Sequence, residues 1–148
     1  MGTAVLRRDT GRMPHPESVT VPAPGERCPC LSGSVFGECC APLISGERAA
    51  PTAVQLMRSR FTAFAIGARE YLLATWHPST RPTSLELDPT MSWFRLDVIG
   101  TRGGGPLDRD GTVEFRAYYR TGAERGDLHE TSRFVREGQG WQYVDGVS

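Results

Sequence analysis

From Thr52 onward the apolar residues fall three or four apart. Val54, Met57, Phe61, Phe64 and Ala65 share one side of a helix that Thr52 can cap and Gly67 can end. A second, shorter helix over about 68–75 sets Tyr71, Leu72 and Thr75 on one side. It stops at Trp76-His77-Pro78, because the residue before a proline is pushed out of the helical region. The two form a helical hairpin. Past Pro89 the period drops to two. Phe94, Leu96 and Val98 alternate with Trp93, Arg95 and Asp97, and after a Gly-rich loop from Thr101 to Gly111 a second strand sets Val113, Phe115, Ala117 and Tyr119 against Thr112, Glu114, Arg116 and Tyr118. A third strand over about 127–136 and a fourth over 141–145 follow, joined by turns at Gly122, Gly126 and Gly138-Gln139-Gly140. Links this short imply antiparallel neighbours.

Helices first and an antiparallel meander second make an α+β fold, a helical hairpin packed on one face of a curved sheet. A sheet twisted around such a hairpin encloses a pocket. Residues 1–27 are rich in Pro, Gly, Arg and Thr without apolar periodicity and read as a disordered tail, within which Met13 is an alternative start. Residues 28–46 hold the cysteines and a turn-rich connection, and 47–148 hold the α+β region.

Composition narrows the function. At 148 residues there is material for one core and an appendage. All 17 basic residues are arginine and balance 17 acidic ones, so no global field draws the chain to nucleic acid or an anionic membrane. The absence of lysine and asparagine excludes Schiff-base lysine chemistry, a P-loop and N-glycosylation. No apolar h-region follows Arg7 and Arg8, and no run of about 18 apolar residues occurs, so neither a signal peptide nor a membrane span is expected. The expected location is the cytoplasm, where thiols stay reduced.

That location decides how the cysteines read. Cys28, Cys30, Cys39 and Cys40 are the chain's four, within thirteen residues, and four thiolates so close can meet one zinc ion tetrahedrally at about 2.3 Å. The alternative, two disulfides, suits neither adjacent Cys39 and Cys40 nor a reducing compartment. Four protein ligands leave no open position for water, so the zinc is structural. The knuckle is organised by metal and the α+β region by apolar faces, so the two are expected to unfold separately.

Cys28-Pro29-Cys30-Leu31-Ser32-Gly33 followed by Cys39-Cys40 resembles the SEC-C motif found at the C-terminus of the preprotein translocase motor ATPase. That resemblance implies zinc binding and docking of a secretion chaperone. The usual form, Cys-x-Cys-Gly-Ser-Gly-Lys, is altered at Leu31 and Ser34, which spares the ligands but does not carry over a contact made by the lysine. Leu56 to Phe64, Tyr71 to Pro78 and Leu128 to Val135 together are similar to the YchJ-like family, over roughly residues 28–146. This implies a nuclear transport factor 2-like (NTF2-like) cone behind the zinc motif.

Leu128, Glu130, Ser132 and Phe134 share the inward face of the third strand, and polar groups placed there need partners. Arg58 lies at the edge of the apolar helix stripe, so a buried Arg58–Glu130 ion pair is expected. Trp76 and His77 at the helix end and Tyr119 on the second strand complete the pocket candidates, while His129 and Tyr71 read as structural. Three functions fit these residues. The first is an adaptor that presents the knuckle to a protein, by resemblance a secretion chaperone or the translation machinery. The second is a small-molecule carrier or enzyme using the pocket. The third, an RNA-binding knuckle, rests on Arg116, Arg120, Arg133 and Arg136 and is opposed by the balanced charge.

Overall fold

The computed structural model describes residues 21–138 and 140–147. Its elements are a 3₁₀ turn at Phe36–Glu38, then α1 (Ala41–Ile44), α2 (Ala53–Ile66), α3 (Arg69–Ala74), β1 (Met91–Gly103), β2 (Asp110–Thr121), β3 (Glu124–Glu137) and β4 (Gly140–Val147). The strands form one antiparallel meander in the order β1-β2-β3-β4. The sheet curves around the α2–α3 hairpin, as the periodicity predicts.

α2 begins and ends where its sequence requires. Thr52 Oγ1 accepts the Gln55 N–H at 3.2 Å, satisfying a donor that lacks a partner in the first turn. Gly67 closes the helix at φ 78°, a left-handed conformation that glycine adopts without a Cβ penalty. Between these ends the helix is buried on nearly every side. Leu56, Met57, Phe61 and Ile66 are buried, and so are Ser59, Arg60 and Thr62. Three layers surround it: the cysteine knuckle, the sheet, and α3 with Leu72, Leu85 and Leu87.

After α3 the chain joins the exposed edge of the sheet. His77 N–H donates to Tyr143 O at 2.7 Å and Tyr143 N–H to Thr75 O at 2.8 Å, so residues 75–77 cover the β4 edge. β1 departs from simple alternation. A bulge between Trp93 and Arg95 sets two residues against one on β2 and turns Trp93 inward, its ring 5.0 Å from that of Tyr119 and 6.4 Å from that of Phe61. Phe94, expected inside, lies instead on the outer face beside Tyr118. The Gly-rich loop is shorter than expected, because β1 runs to Gly103 and β2 starts at Asp110. The connection at 41–44 is helical.

The expectation of a disordered tail lies, for residues 1–20, outside the described residues. From Pro24 the chain belongs to the knuckle. Gly37 N–H donates to Pro24 O at 2.9 Å and Phe36 N–H to Glu26 O at 2.7 Å, and Arg27 bridges to Val35. Gly37 permits this approach, since a Cβ there would stand 2.9 Å from Pro24 Cβ. Separate unfolding of knuckle and α+β region is not what the packing supports. Cys28, Cys30, Phe36, Cys40 and Leu43 share one continuous core with Leu56, Met57 and Phe61 of α2 and Phe115, Phe134 and Trp141 of the sheet. Burial of a side chain such as Phe61 is worth about 1.5–3 kcal/mol, and the knuckle and the α+β region both contribute buried side chains to the same core.

Candidate metal centre and adjoining cleft

The cysteine segment reverses direction through two turns. Leu31 N–H donates to Cys28 O at 3.0 Å, and Cys28 N–H to Ser34 O at 2.9 Å. Leu31 takes φ 63°, the only described non-glycine residue in that region, at a cost of about 1–2 kcal/mol. The motif's usual glycine at this position is thereby explained: the turn needs a left-handed residue.

These turns bring all four cysteine sulfurs within 4.8 Å of one another. The separations are 3.6 Å for Cys30–Cys39 and 4.0 Å for Cys39–Cys40. Sulfurs at the corners of a tetrahedron around zinc stand roughly 3.8 Å apart, given a bond of about 2.3 Å. No described cysteine is in a disulfide. Cys28, Cys30 and Cys40 are buried and Cys39 is partly exposed, with Ser32 Oγ 3.1 Å from Cys39 Sγ. The four donors fit a soft tetrahedral cation, and their closeness makes joint ionisation without one costly. Hydrogen bonds from Cys28 and Cys40 hold the Cys30 thiol far below the usual thiol range. The same contacts, from Cys28 first and Cys30 next, push Cys40 far above it. Burial raises Cys39 to about 11.

α2 supports the cluster directly. Thr62 Oγ1 donates to Cys40 Sγ at 3.3 Å and lies 3.9 Å from Cys28 Sγ. Arg58 Nη1 donates to Cys30 O at 2.6 Å. The expected Arg58–Glu130 pair is therefore absent: Arg58 faces the knuckle.

The arginine on the sheet side is Arg60, three residues after Met57 and four before Phe64. Its Nη1 donates to Leu72 O and to Thr75 Oγ1, both at 2.7 Å. Its guanidinium lies 5.0 Å from the Trp76 ring and 4.6 Å from that of Tyr143. Burial lowers its pKa to about 10, so it remains charged at neutral pH. It borders a cleft lined also by Met57, Phe64, Glu130, Ser132 and Tyr143. The cleft is open to solvent and has room inside for about one water molecule. Glu130 Oε2 accepts from Ser132 Oγ at 2.7 Å and from Tyr143 OH at 3.4 Å. Gly146 leaves room for this carboxylate, with which a Cβ would collide.

Of the pocket candidates, Glu130 and Ser132 line the cleft, and Trp76 backs it through Arg60. Tyr119 packs on Trp93, and His77 is tied to Ser79 at 2.8 Å and Glu137 at 3.0 Å, on the β3–β4 side. Arg60 and Tyr143 were missed. Spacing held the signal for Arg60, but nothing in β4 marked Tyr143. Arg116 pairs with Asp127, Arg133 with Asp145, and Arg136 reaches Pro106 O, which weakens the RNA reading.

Fold and site together define an NTF2-like cone with a compact four-cysteine knuckle packed against its main helix. Residues 52–146 match the family described as YchJ, middle NTF2-like domain. A UPF0225 protein of Corynebacterium glutamicum is 52% identical, the match covering 82% of this chain and 97% of that protein. A UPF0225 protein of Streptomyces coelicolor is 48% identical over 83% of this chain and 96% of its own. The solution structure of a SEC-C motif containing protein from Rhodopseudomonas palustris superposes with a TM-score of 0.71 at 31% identity, covering 82% of this chain and 97% of that one. The crystal structure of a sec-c motif containing protein from Psychrobacter arcticus gives 0.66 at 27% identity, with 81% of each chain covered. The chain belongs to the YchJ-like (UPF0225) family. Among the described residues no helix is long and apolar enough to cross a membrane.

Proposed function

We propose that Cys28, Cys30, Cys39 and Cys40 hold one structural Zn²⁺ that fixes the knuckle to α2, and that the knuckle's outer turn is a docking surface for a protein partner in the reducing cytosol. The observation that carries this reading is the convergence of four sulfurs to within 4.8 Å at tetrahedral spacing. Zinc bound there would supply cross-linking rather than catalysis, since all four positions are filled by protein. The docking half draws on the exposed turn Leu31-Ser32-Gly33-Ser34, with Leu31 43% exposed, and on the SEC-C relatives. A secretion chaperone is the partner to try first, and the translation machinery second.

The test has two readouts on the full chain. Native mass spectrometry should find one zinc per molecule, and Leu31→Asp should abolish binding to a purified secretion chaperone or to ribosomes while zinc is retained. Zinc without binding to either overturns the adaptor role. A folded, metal-free protein overturns both halves.

A further inference from the structure

The four sulfurs of the knuckle are not equivalent. Cys28 and Cys40 lie on the α2 side, where Thr62 Oγ1 stands 3.9 Å from Cys28 Sγ and donates to Cys40 Sγ at 3.3 Å. Cys30 and Cys39 form the other half, their sulfurs 3.6 Å apart, with Ser32 Oγ 3.1 Å from Cys39 Sγ. Cys28, Cys30 and Cys40 are buried, and Cys39 alone of the four is partly exposed. An oxidant arriving from solvent therefore meets Cys39 first. Ser32 stands at that entrance. It is exposed, its Oγ accepts the Ser34 N–H at 3.2 Å, and its own proton is left for the Cys39 sulfur.

The geometry also selects the sulfur that would answer. Cys40 Sγ is 4.0 Å from Cys39 Sγ, but a bridge between adjacent residues is strained. Cys30 is nearer, and eight residues lie between it and Cys39. We propose that Cys39 is an oxidation site for a hydroperoxide, resolved by Cys30, and that their bridging releases the metal. The inference rests on the zinc reading above. The Cys39 thiolate attacks a peroxide oxygen and the O–O bond breaks, so that hydrogen peroxide yields a sulfenic acid and hydroxide. The Cys30 thiolate then attacks the Cys39 sulfur, forming the S–S bond as the S–O bond breaks and a second hydroxide leaves. Two thiolates lose two electrons in all, and one peroxide gains them. Cys28 and Cys40 stay reduced on α2, two ligands where a structural zinc needs four. In a reducing cytosol such a bridge is transient, as suits a redox sensor. The exposed turn from Leu31 to Ser34 lies inside the loop that the bridge closes, so the docking face changes with the loss of metal.

The test treats the zinc-loaded full chain with one equivalent of hydrogen peroxide in the presence of a chromogenic zinc chelator, then maps the sulfurs by alkylation and fragment mass spectrometry. Peroxide should release zinc faster than the chelator does alone, Cys30 and Cys39 should be bridged, and Cys28 and Cys40 should be alkylated. Cys39→His keeps a fourth ligand without a sulfur and should retain its zinc under the same treatment. The proposal is overturned if peroxide leaves the zinc in place, if a different pair is bridged, or if Cys39→His releases zinc as fast as wild type. Should that variant bind no zinc, the bridge found in wild type decides alone. A chain that carries no zinc before peroxide is added overturns the metal reading itself, which separates that failure from this one.

Discussion

Thr62→Val separates a knuckle that is merely attached from one whose metal site is built into the helix. Thr62 is fully buried, and its hydroxyl donates to Cys40 Sγ at 3.3 Å. Valine keeps the branched shape, so no cavity opens, but the donor to Cys40, a ligand of the proposed zinc, is lost. Hydrogen bonds to charged groups contribute about 1.5–3 kcal/mol. Removing a partner that orients a metal ligand costs about 10–100-fold in metal affinity, which at about 1.4 kcal/mol per decade is the same range by an independent route. Zinc competition against a chromogenic chelator should therefore show weaker retention in Thr62→Val, while Thr62→Ser, which keeps the hydroxyl, should stay near wild type. The difference in melting temperature between wild type and Thr62→Val should shrink once zinc is removed, because a neutral thiol is a weaker acceptor. A Val variant that holds zinc as tightly as wild type would show that α2 does not support the ligands.

Leu31→Gly should leave stability unchanged or raise it by up to about 1 kcal/mol in urea melts, since relief of the left-handed leucine outweighs the extra chain entropy of glycine. A clear loss would mean that Leu31 is packed rather than strained. Arg60→Met should cost about 1.5–3 kcal/mol through the lost bonds to Leu72 and Thr75, whereas Arg58→Met and Glu130→Leu should be additive to within about 0.5 kcal/mol, as befits side chains with different partners. Burial pushes the Tyr143 phenol up to about 12, against about 10 in the unfolded chain. The unfolded chain therefore releases this proton first, and the associated stability is full below pH 10 and is lost as pH rises toward 12. Tyr143→Phe should flatten the alkaline decline, and an unchanged slope would place its cause elsewhere.

What the sequence revealed, and what it hid, follows from the range of the forces involved. Thr52, Gly67 and the helical period act locally and placed α2, and strict alternation along β3 put Glu130 and Ser132 on the inward face where they are found. The bulge at Trp93 exchanges the faces of two aromatic residues, and it depends on pairing with β2 that alternation does not encode. Arg58 and Arg60 were harder to assign because α2 is buried on both flanks, so an arginine beside the apolar stripe had two interiors to face. One meets the knuckle and the other the sheet. The shared core also explains why residues 24–27, polar and without period, are ordered: their backbone, not their side chains, pairs with residues 35–37.

The central claim is that the four sulfurs are one metal centre on which the whole molecule depends. Elemental analysis of the purified chain, followed by chelation during a thermal melt, addresses it most directly. The account predicts one equivalent of zinc and a single transition that moves to lower temperature as a whole when the metal is withdrawn, because knuckle and cone share one core. Four freely titratable thiols in a folded, zinc-free protein, or a main transition indifferent to the chelator, would contradict it.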